Sequence, residues 1–463
     1  MRCSRWSVSV FDCAGLCVTM PHVSRSTTIL VIFAIAIPAV TWLIRPMIAL
    51  SGAGHAIGKS DEIAGARFPQ STLELNKQTI GPDPIRRPRI SNVQVIDFDE
   101  DGIKDVIACD AQYHRVLWYR QHPVGTWEEI ELGTDLLAPA HATVADVDSD
   151  GDRDVVVSIL GNIYPDDRVI GKVVLLENVG NSGGTGPFKQ HVIFDDVRRV
   201  ADVQVGDLDG DKDMDMVVAV FGYRRGNIYW LENHGDHKFE EHELLYAAGT
   251  IHVPLADYDS DGDLDIAAVV SQDQEEVIGF ENDGSGQFKK HLLYSTFNYD
   301  LGTAGLVKTD LDRDGDIDLL LPTGDNFEDL YSAPLPYHGC FWLENQGDWK
   351  FATKRIATFN GTYAAAAGDP DADGDTDVVL VSMFNSFEKR ENPSVVWLEN
   401  DGQQNFKTWK IANNPIHLIT VDCGDINGDG KDDIVAGGFH VPYPIERFGR
   451  ITAWLSTPGG TAK

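Results

Sequence analysis

The chain has 463 residues, of which 43% are hydrophobic and 9% aromatic, and it carries 44 glycines. That is enough apolar material for a large core and enough turn-formers for a β-rich fold. The formal charge is −34, from 72 acidic and 38 basic residues, which argues against nucleic acid as a partner because phosphate binding needs a positive face.

The first element is a charge-free apolar run of 18 residues, Thr27 to Ile44, preceded by Arg2, Arg5 and Arg25. Small residues follow it, and Ala49-Leu50-Ser51 or Ser51-Gly52-Ala53 would suit a signal peptidase. The run is long for a signal core and just long enough to span a bilayer. Residues 1–50 are therefore expected to be an N-terminal hydrophobic targeting helix, either a cleaved signal peptide or a single membrane anchor. Met20 is an alternative start. Either way the remainder is exported, to a periplasmic, cell-surface or secreted location. Residues 51–71 are small and polar and read as a linker. Of six cysteines, Cys3, Cys13 and Cys17 precede or border this region, while Cys109, Cys340 and Cys423 lie far apart. No disulfide framework is predicted.

A repeat fills residues 72–457. An Asp-rich nonapeptide begins at Asp97, Asp146, Asp207, Asp257, Asp310, Asp369 and Asp425, at intervals of about 50 to 60 residues. An apolar stretch leads into each copy, such as Ala142 to Ala145, and a β-branched run follows, such as Val155 to Val157. After a variable loop comes an apolar strand ending in Trp-Leu-Glu-Asn, as at Trp230 to Asn233, Trp342 to Asn345 and Trp397 to Asn400. Asn and Gly close the next turn, residues that tolerate positive φ. The last element opens on an aromatic: Trp127, Phe188, Phe239, Phe288, Phe351 or Phe406.

Helical periodicity is absent, and each repeat reads as four strands, A to D. Four antiparallel strands at this period describe a propeller blade. A sandwich would not need the same unit seven times, and a solenoid would carry atypical end caps. The predicted fold is all-β: a seven-bladed β-propeller of four-stranded antiparallel blades. The seventh repeat ends after its third strand, at Ile451 to Leu455. Residues 72–80 match the fourth-strand pattern and are expected to complete that blade, leaving 458–463 as a tail. Closure of this kind removes an exposed sheet edge.

The nonapeptides carry the chemistry. Acidity spread evenly would be a solvated surface, but here the carboxylates cluster, and clustered carboxylates repel unless a cation sits among them. In Asp146, Asp148, Asp150 and Asp154 they occupy positions 1, 3, 5 and 9 around Gly151. Ca²⁺ wants six to eight oxygens, and a tight loop with a glycine turn can aim side chains 1, 3 and 5 inward. Mg²⁺ keeps its waters and resists such cages. The same positions hold Asp97, Asp99, Asp101 and Asp105 in the first loop, and Asp207, Asp209, Asp211 and Asp215 in the third. The fourth has Asp257, Asp259, Asp261 and Asp265; the fifth has Asp310, Asp312, Asp314 and Asp318. The sixth has Asp369, Asp371, Asp373 and Asp377, and the seventh Asp425, Asn427, Asp429 and Asp433. Lys212 stands where the third loop should have Gly, so that turn is expected to be strained or differently shaped. An EF-hand would need flanking helices and Glu at position 12, where Val157 and Ala268 stand instead.

Loops, Trp-Leu-Glu-Asn strands and period together resemble the FG-GAP/VCBS repeat family, whose propellers include the integrin α-chain head. The resemblance covers residues 72–457. It implies that the A–B loops bind Ca²⁺ and that the opposite face, made by D–A and B–C loops, binds ligands. The integrin ligand-recognition loops have no counterpart here. Similar propellers occur in fungal lectins and in sugar-converting dehydratases and lyases.

Four B–C loops are long and carry aromatic and charged residues. They are Asn162–Lys172 (Tyr164, Arg168), Thr323–Gly339 (Phe327, Tyr331, Tyr337, His338), Met383–Pro393 (Phe384, Phe387, Arg390) and Phe439–Gly449 (His440, Tyr443, Arg447). Aromatics beside hydrogen-bonding groups suit carbohydrate or peptide recognition, although loop packing is the plainer reading of any single one. His141 and His252 stand five residues before their loops and His417 eight before, all near the start of strand A. They are candidates for acid–base or metal chemistry at the channel. His191, His242 and His291 read as framework residues of strand D. No nucleophile elbow, phosphate-cradling loop or H-E-x-x-H motif is present. The expected function is a monomeric, exported calcium-binding module for a glycan or protein ligand, with a sugar lyase or dehydratase at the channel mouth as the alternative.

Overall fold

The computed structural model describes residues 68–164, 166–180, 186–272, 275–325, 334–441, 444 and 446–457. The apolar segment at 27–44, the linker up to 67, Phe327, Tyr331, Tyr443 and the tail lie outside the described residues. Among the described residues no helix is long and apolar enough to cross a membrane.

The described chain folds into seven four-stranded antiparallel sheets in a seven-bladed β-propeller. Six blades take their four strands consecutively from the chain. The seventh takes strands A to C from Leu418–Gly424, Asp433–Gly438 and Ile451–Ser456, and its outer strand from Leu75–Ile80. That strand runs antiparallel to the last one, from Leu75 opposite Ser456 to Ile80 opposite Ile451. The ring is thus closed by backbone hydrogen bonds between the two ends of the propeller.

Burial explains the strand sequences. Strand B of every blade, such as Asp154–Ile159 or Asp377–Ser382, is buried along its whole length. Neighbouring blades cover both of its faces, so it reads as a continuous β-branched run rather than an alternation. Strand D, such as Phe239–Tyr246, is the outer edge and alternates between exposed and partly buried positions.

The core is divided among the inter-blade spaces. One cluster packs Ile107 and Trp118 of blade 1 on Val155 and Val157 of blade 2, and the next packs Val156 and Leu175 on Val203 and Val218 of blade 3. The series continues around to Val106 and Tyr119 against Val435 and Ile451, where blade 7 meets blade 1. At that seam Arg450 of blade 7 is buried, with Nη2 3.0 Å from Asp110 and Nη1 3.0 Å from Glu129 of blade 1. Each blade therefore shares its core with both neighbours.

Candidate functional site: acidic loops and channel mouth

The seven A–B loops share one hydrogen-bond pattern. The position-6 N–H donates to the position-1 carboxylate, at 3.0 Å in Gly102 to Asp97 and 3.1 Å in Gly151 to Asp146. The position-7 N–H donates to the position-5 carboxylate, at 2.9 Å in Asp152 to Asp150. Two residues per loop sit in the left-handed region, such as Ser149 (φ 60°) and Gly151 (φ 94°). The third loop keeps this shape. Lys212 adopts φ 80° and still donates to Asp207 at 3.1 Å. Of the two outcomes the sequence left open, the strained turn is the one found: Lys212 is strained and the loop is not reshaped.

Position 9 opens strand B and is at most 1% exposed in every loop. Its carboxylate joins strands. Asp154 Oδ2 accepts from the Val147 N–H at 2.9 Å, and Oδ1 accepts from the Asn178 N–H at the end of strand C at 2.8 Å. Asp265 does the same with Tyr258 and Asn282. Burial raises these carboxyls, Asp105 to about 6, Asp154 to about 7 and Asp377 to about 8. Burial, and then the position-5 carboxylate beside it, also raises Asp148. Both are signs of negative charge held without compensation.

The donor set fits a hard cation. Oδ1 of Asp97 and Asp310 at position 1, and of Asp99, Asp259 and Asp312 at position 3, is buried without a hydrogen-bond donor. An orphaned buried carboxylate oxygen is costly unless a cation meets it. Oxygens of Asp146, Asp148 and Asp154 converge within 4.8 Å, as do those of Asp207, Asp209 and Asp211. In the first loop Arg120 already meets Asp99 Oδ2 at 2.6 Å, and the seventh loop departs as well. There the Ser456 hydroxyl donates to Asp429 at 2.8 Å, so that ligand carboxylate is already engaged, and Asn427 Nδ2 donates to the Ser456 carbonyl at 2.9 Å.

The opposite end of the channel is a cavity of about 590 Å³ whose lining comes from every blade. One register position recurs in it, five residues before each loop: Asn92, His141, Asp202, His252, Gly305, Ala364 and Thr420. At three of the blades this side chain takes the next blade's N–H: Asn92 from Ala142 at 3.4 Å, Asp202 from Val253 at 2.9 Å, and Thr420 from Val93 at 3.0 Å.

Two of the sequence-predicted histidines meet here. The His141 and His252 rings are 5.9 Å apart, centroid to centroid. His141 Nδ1 lies 2.9 Å from Asp202 Oδ1, and Asp202 is buried. Burial opposes charge on both partners, but their mutual attraction prevails, so His141 is raised and Asp202 lowered. Burial lowers His252, with Asp202 opposing it. His417 does not join them. Its Nδ1 is 2.8 Å from the Met383 carbonyl and its Nε2 3.0 Å from that of Pro444. Asp202 was missed in the sequence, although its offset from Asp207 equals that of His141 from Asp146.

The B–C loops are less open than their composition suggests. Phe384, Phe387, His338 and His440 are buried. Burial lowers His338 to about 4 and His440 to about 3, so both stay neutral at physiological pH. Tyr164 remains exposed.

A family model of the FG-GAP-like repeat matches residues 97–157, 207–268, 257–321 and 369–436. These spans contain all seven acidic loops and more than half of the chain. The chain belongs to the FG-GAP-like repeat family. No curated protein matches it. Among solved structures this FG-GAP-like chain is similar to two crystal structures of BBS1N in complex with ARL6DN. The mercury-soaked one has 9% identity and a TM-score of 0.49, covering 85% of this chain and 100% of that one. The lead-soaked one has 10% identity, a TM-score of 0.45 and the same coverage. Likeness at that level says nothing about what this FG-GAP-like propeller binds.

Proposed function

We propose that the propeller is an exported interaction module that holds Ca²⁺ in its A–B loops and binds a glycan at the channel mouth on the opposite face. The carrying observation is the cavity of about 590 Å³, where His141, Arg199, Asp202, Gln204 and Lys308 offer donors and acceptors around apolar walls. A polyhydroxylated ligand matches such a lining, with a few placed polar groups fixing its orientation. The buried, unpartnered oxygens of the loops support the calcium half of this reading. Bound Ca²⁺ would neutralise the loops and hold strands A and B in register, leaving the other face rigid. The apolar run at 27–44 supports export, by a signal or an anchor, and cell fractionation with N-terminal sequencing tests it.

Glycan-array screening of the purified protein, followed by calorimetry on the hits, tests the ligand. Asp202→Asn and Lys308→Ala are expected to weaken binding about tenfold or more, as the loss of a buried charged contact does. A protein that binds no glycan, or whose hits are indifferent to both substitutions, would remove the reading in favour of a protein ligand. One observation favours a catalytic alternative: Asp202 Oδ1 lies 2.9 Å from His141 Nδ1 and favours its charged form, a pairing of the kind a general acid or base on a sugar would need. A turnover screen on polysaccharides, with His141→Gln as the inactive control, decides between the two.

A further inference from the structure

The strand C glutamate and a strand D histidine form a recurring pair on the outer part of the blades. His242 Nε2 lies 2.7 Å from Glu232, and His291 is hydrogen-bonded to Glu281. The neighbouring blade then covers the histidine with the residue two before the aromatic that opens its own strand D. Over His291 this residue is Trp349, stacked at 4.8 Å and 9°. Blade 4 has Gly286 there, and the Trp230 ring fills the space. Blade 3 has His237, which faces the blade 2 pair Glu177 and His191.

That substitution changes the chemistry of the position. Glu177, His191 and His237 each present a ligand atom, and these atoms converge within 4.8 Å. His237 Nε2 is 3.5 Å from Glu177 Oε2, and the two imidazole rings are 4.3 Å apart. Ligands at about 2.1 Å on a tetrahedral ion stand about 3.4 Å from one another. His191 Nε2 and Glu177 are hydrogen-bonded in the metal-free geometry. All three side chains are sheltered: Glu177 is 15% exposed, His191 19% and His237 26%. Lys189 approaches Glu177 at 3.8 Å but is 63% exposed, and such a surface pair offers little resistance.

We infer that Glu177, His191 and His237 form a binding site for a Zn²⁺-class transition metal that clasps blade 2 to blade 3. Two imidazoles and one carboxylate suit a borderline ion and not Ca²⁺, which takes oxygen only. Binding opens the His191–Glu177 contact to admit the ion, with the neutral His191 ring ligating through Nε2 and carrying its proton on Nδ1. The fourth position faces water. The site is chemically distinct from the seven oxygen loops.

The test uses the purified full-length protein with Ca²⁺ held saturating, titrated with ZnCl₂ by calorimetry. His237→Trp recreates the stacking seen at Trp349, so it keeps the fold while removing a ligand. Wild type is expected to bind one more tight equivalent of Zn²⁺ than His237→Trp, with affinity at that site reduced at least about 100-fold in the variant. His291→Gln, which alters the equivalent pair under Trp349, should leave the stoichiometry unchanged. Equal stoichiometry in wild type and His237→Trp would overturn the inference. Wild type loaded with Co²⁺ gives a readout free of any variant. Intense visible bands mean a four-coordinate site, and the weak spectrum of a six-coordinate ion at this stoichiometry would also overturn it.

Discussion

On the acidic-loop face, seven loops repeat the same hydrogen bonds around the same carboxylates; at the channel mouth, seven blades present Asn, His, Asp, His, Gly, Ala and Thr at one register position. Repetition on one face and divergence on the other suit different tasks. A loop that stiffens every blade has the same work to do seven times. A recognition surface must be asymmetric, because one ligand meets all the blades at once. On the proposed reading, the first face serves the fold and the second the ligand.

The largest expected effect separates the two faces directly. If each loop holds Ca²⁺ at about ten times its Kd, each contributes roughly 1.4 kcal/mol, and seven contribute about 10 kcal/mol. With an unfolding entropy of roughly 0.8 kcal/mol/K for a propeller of this size, excess EGTA should lower the melting temperature by about 12 °C. Differential scanning calorimetry with EGTA and with millimolar Ca²⁺ checks this. Identical melting curves would end the calcium reading while leaving the channel-mouth proposal standing.

Next in size is the difference between two carboxylates of one loop. Asp154 is buried and holds the Val147 and Asn178 N–H groups, whereas Asp150 is exposed. Asp154→Ala leaves two buried donors unpaired and should cost about 3 kcal/mol, or about 4 °C, even in EGTA. Asp150→Ala should be neutral or slightly stabilising in EGTA, since it relieves repulsion, and destabilising only in Ca²⁺. Thermal melts of both variants in both buffers give the four numbers needed. If the two variants behave alike without metal, position 9 has no structural role of its own.

How much of this was legible in the sequence follows the same division. The repeat period, the all-apolar B strands and the Asp nonapeptides come from local patterns, so blades and loops could be read directly. The chain-end strand Leu75–Ile80 could be read because it matches a strand D pattern that the seventh repeat lacks. The channel mouth was only half legible. Grouping residues by type gave His141, His252 and His417; grouping them by offset from the loop would have kept the first two, added Asp202 and dropped His417. Phe384, Phe387 and His440 look like recognition residues by composition, yet the long loops fold over their own aromatics and bury them. Nothing local distinguishes a loop that covers itself from one that greets a ligand. His237 was invisible for a related reason: its partners lie in the neighbouring blade, and only register across the seam brings them together.

The His141–Asp202 pair sharpens the contrast through pH. His141 is raised above the ordinary histidine value, so its contribution to stability is full below about 6.5 and lost as pH rises through the folded value. Asp202 is lowered, so its contribution is full above about 4 and lost as pH falls through the folded value. Between those limits the ion pair is intact. His252 and Asp422 also bear on it: charge on His141 helps lower His252, and Asp422 favours charge on His141. In Asp202→Asn the attraction is gone and burial prevails, so the His141 pKa should fall below 6.5 and not merely return to it. Histidine NMR titration of the two proteins shows whether the shift changes sign. Unchanged titration would mean the pair does not form.

The smallest effect tests how strictly the loops repeat. Lys212 holds φ 80° where its counterparts are Gly102, Gly151, Gly262, Gly315, Gly374 and Gly430, with φ from 86° to 101°. A side chain in this region costs roughly 1 kcal/mol, and glycine pays part of that back as unfolded-state entropy. Lys212→Gly should therefore stabilise the metal-free protein by about 0.5 kcal/mol, a rise in melting temperature just under 1 °C. It also removes a positive charge beside the third loop, so Ca²⁺ should bind there slightly more tightly, and the gain should grow when Ca²⁺ is present. A loss of stability in both buffers would show that Lys212 makes a contact worth more than its strain, and that the third loop is specialised rather than a worn copy of the other six.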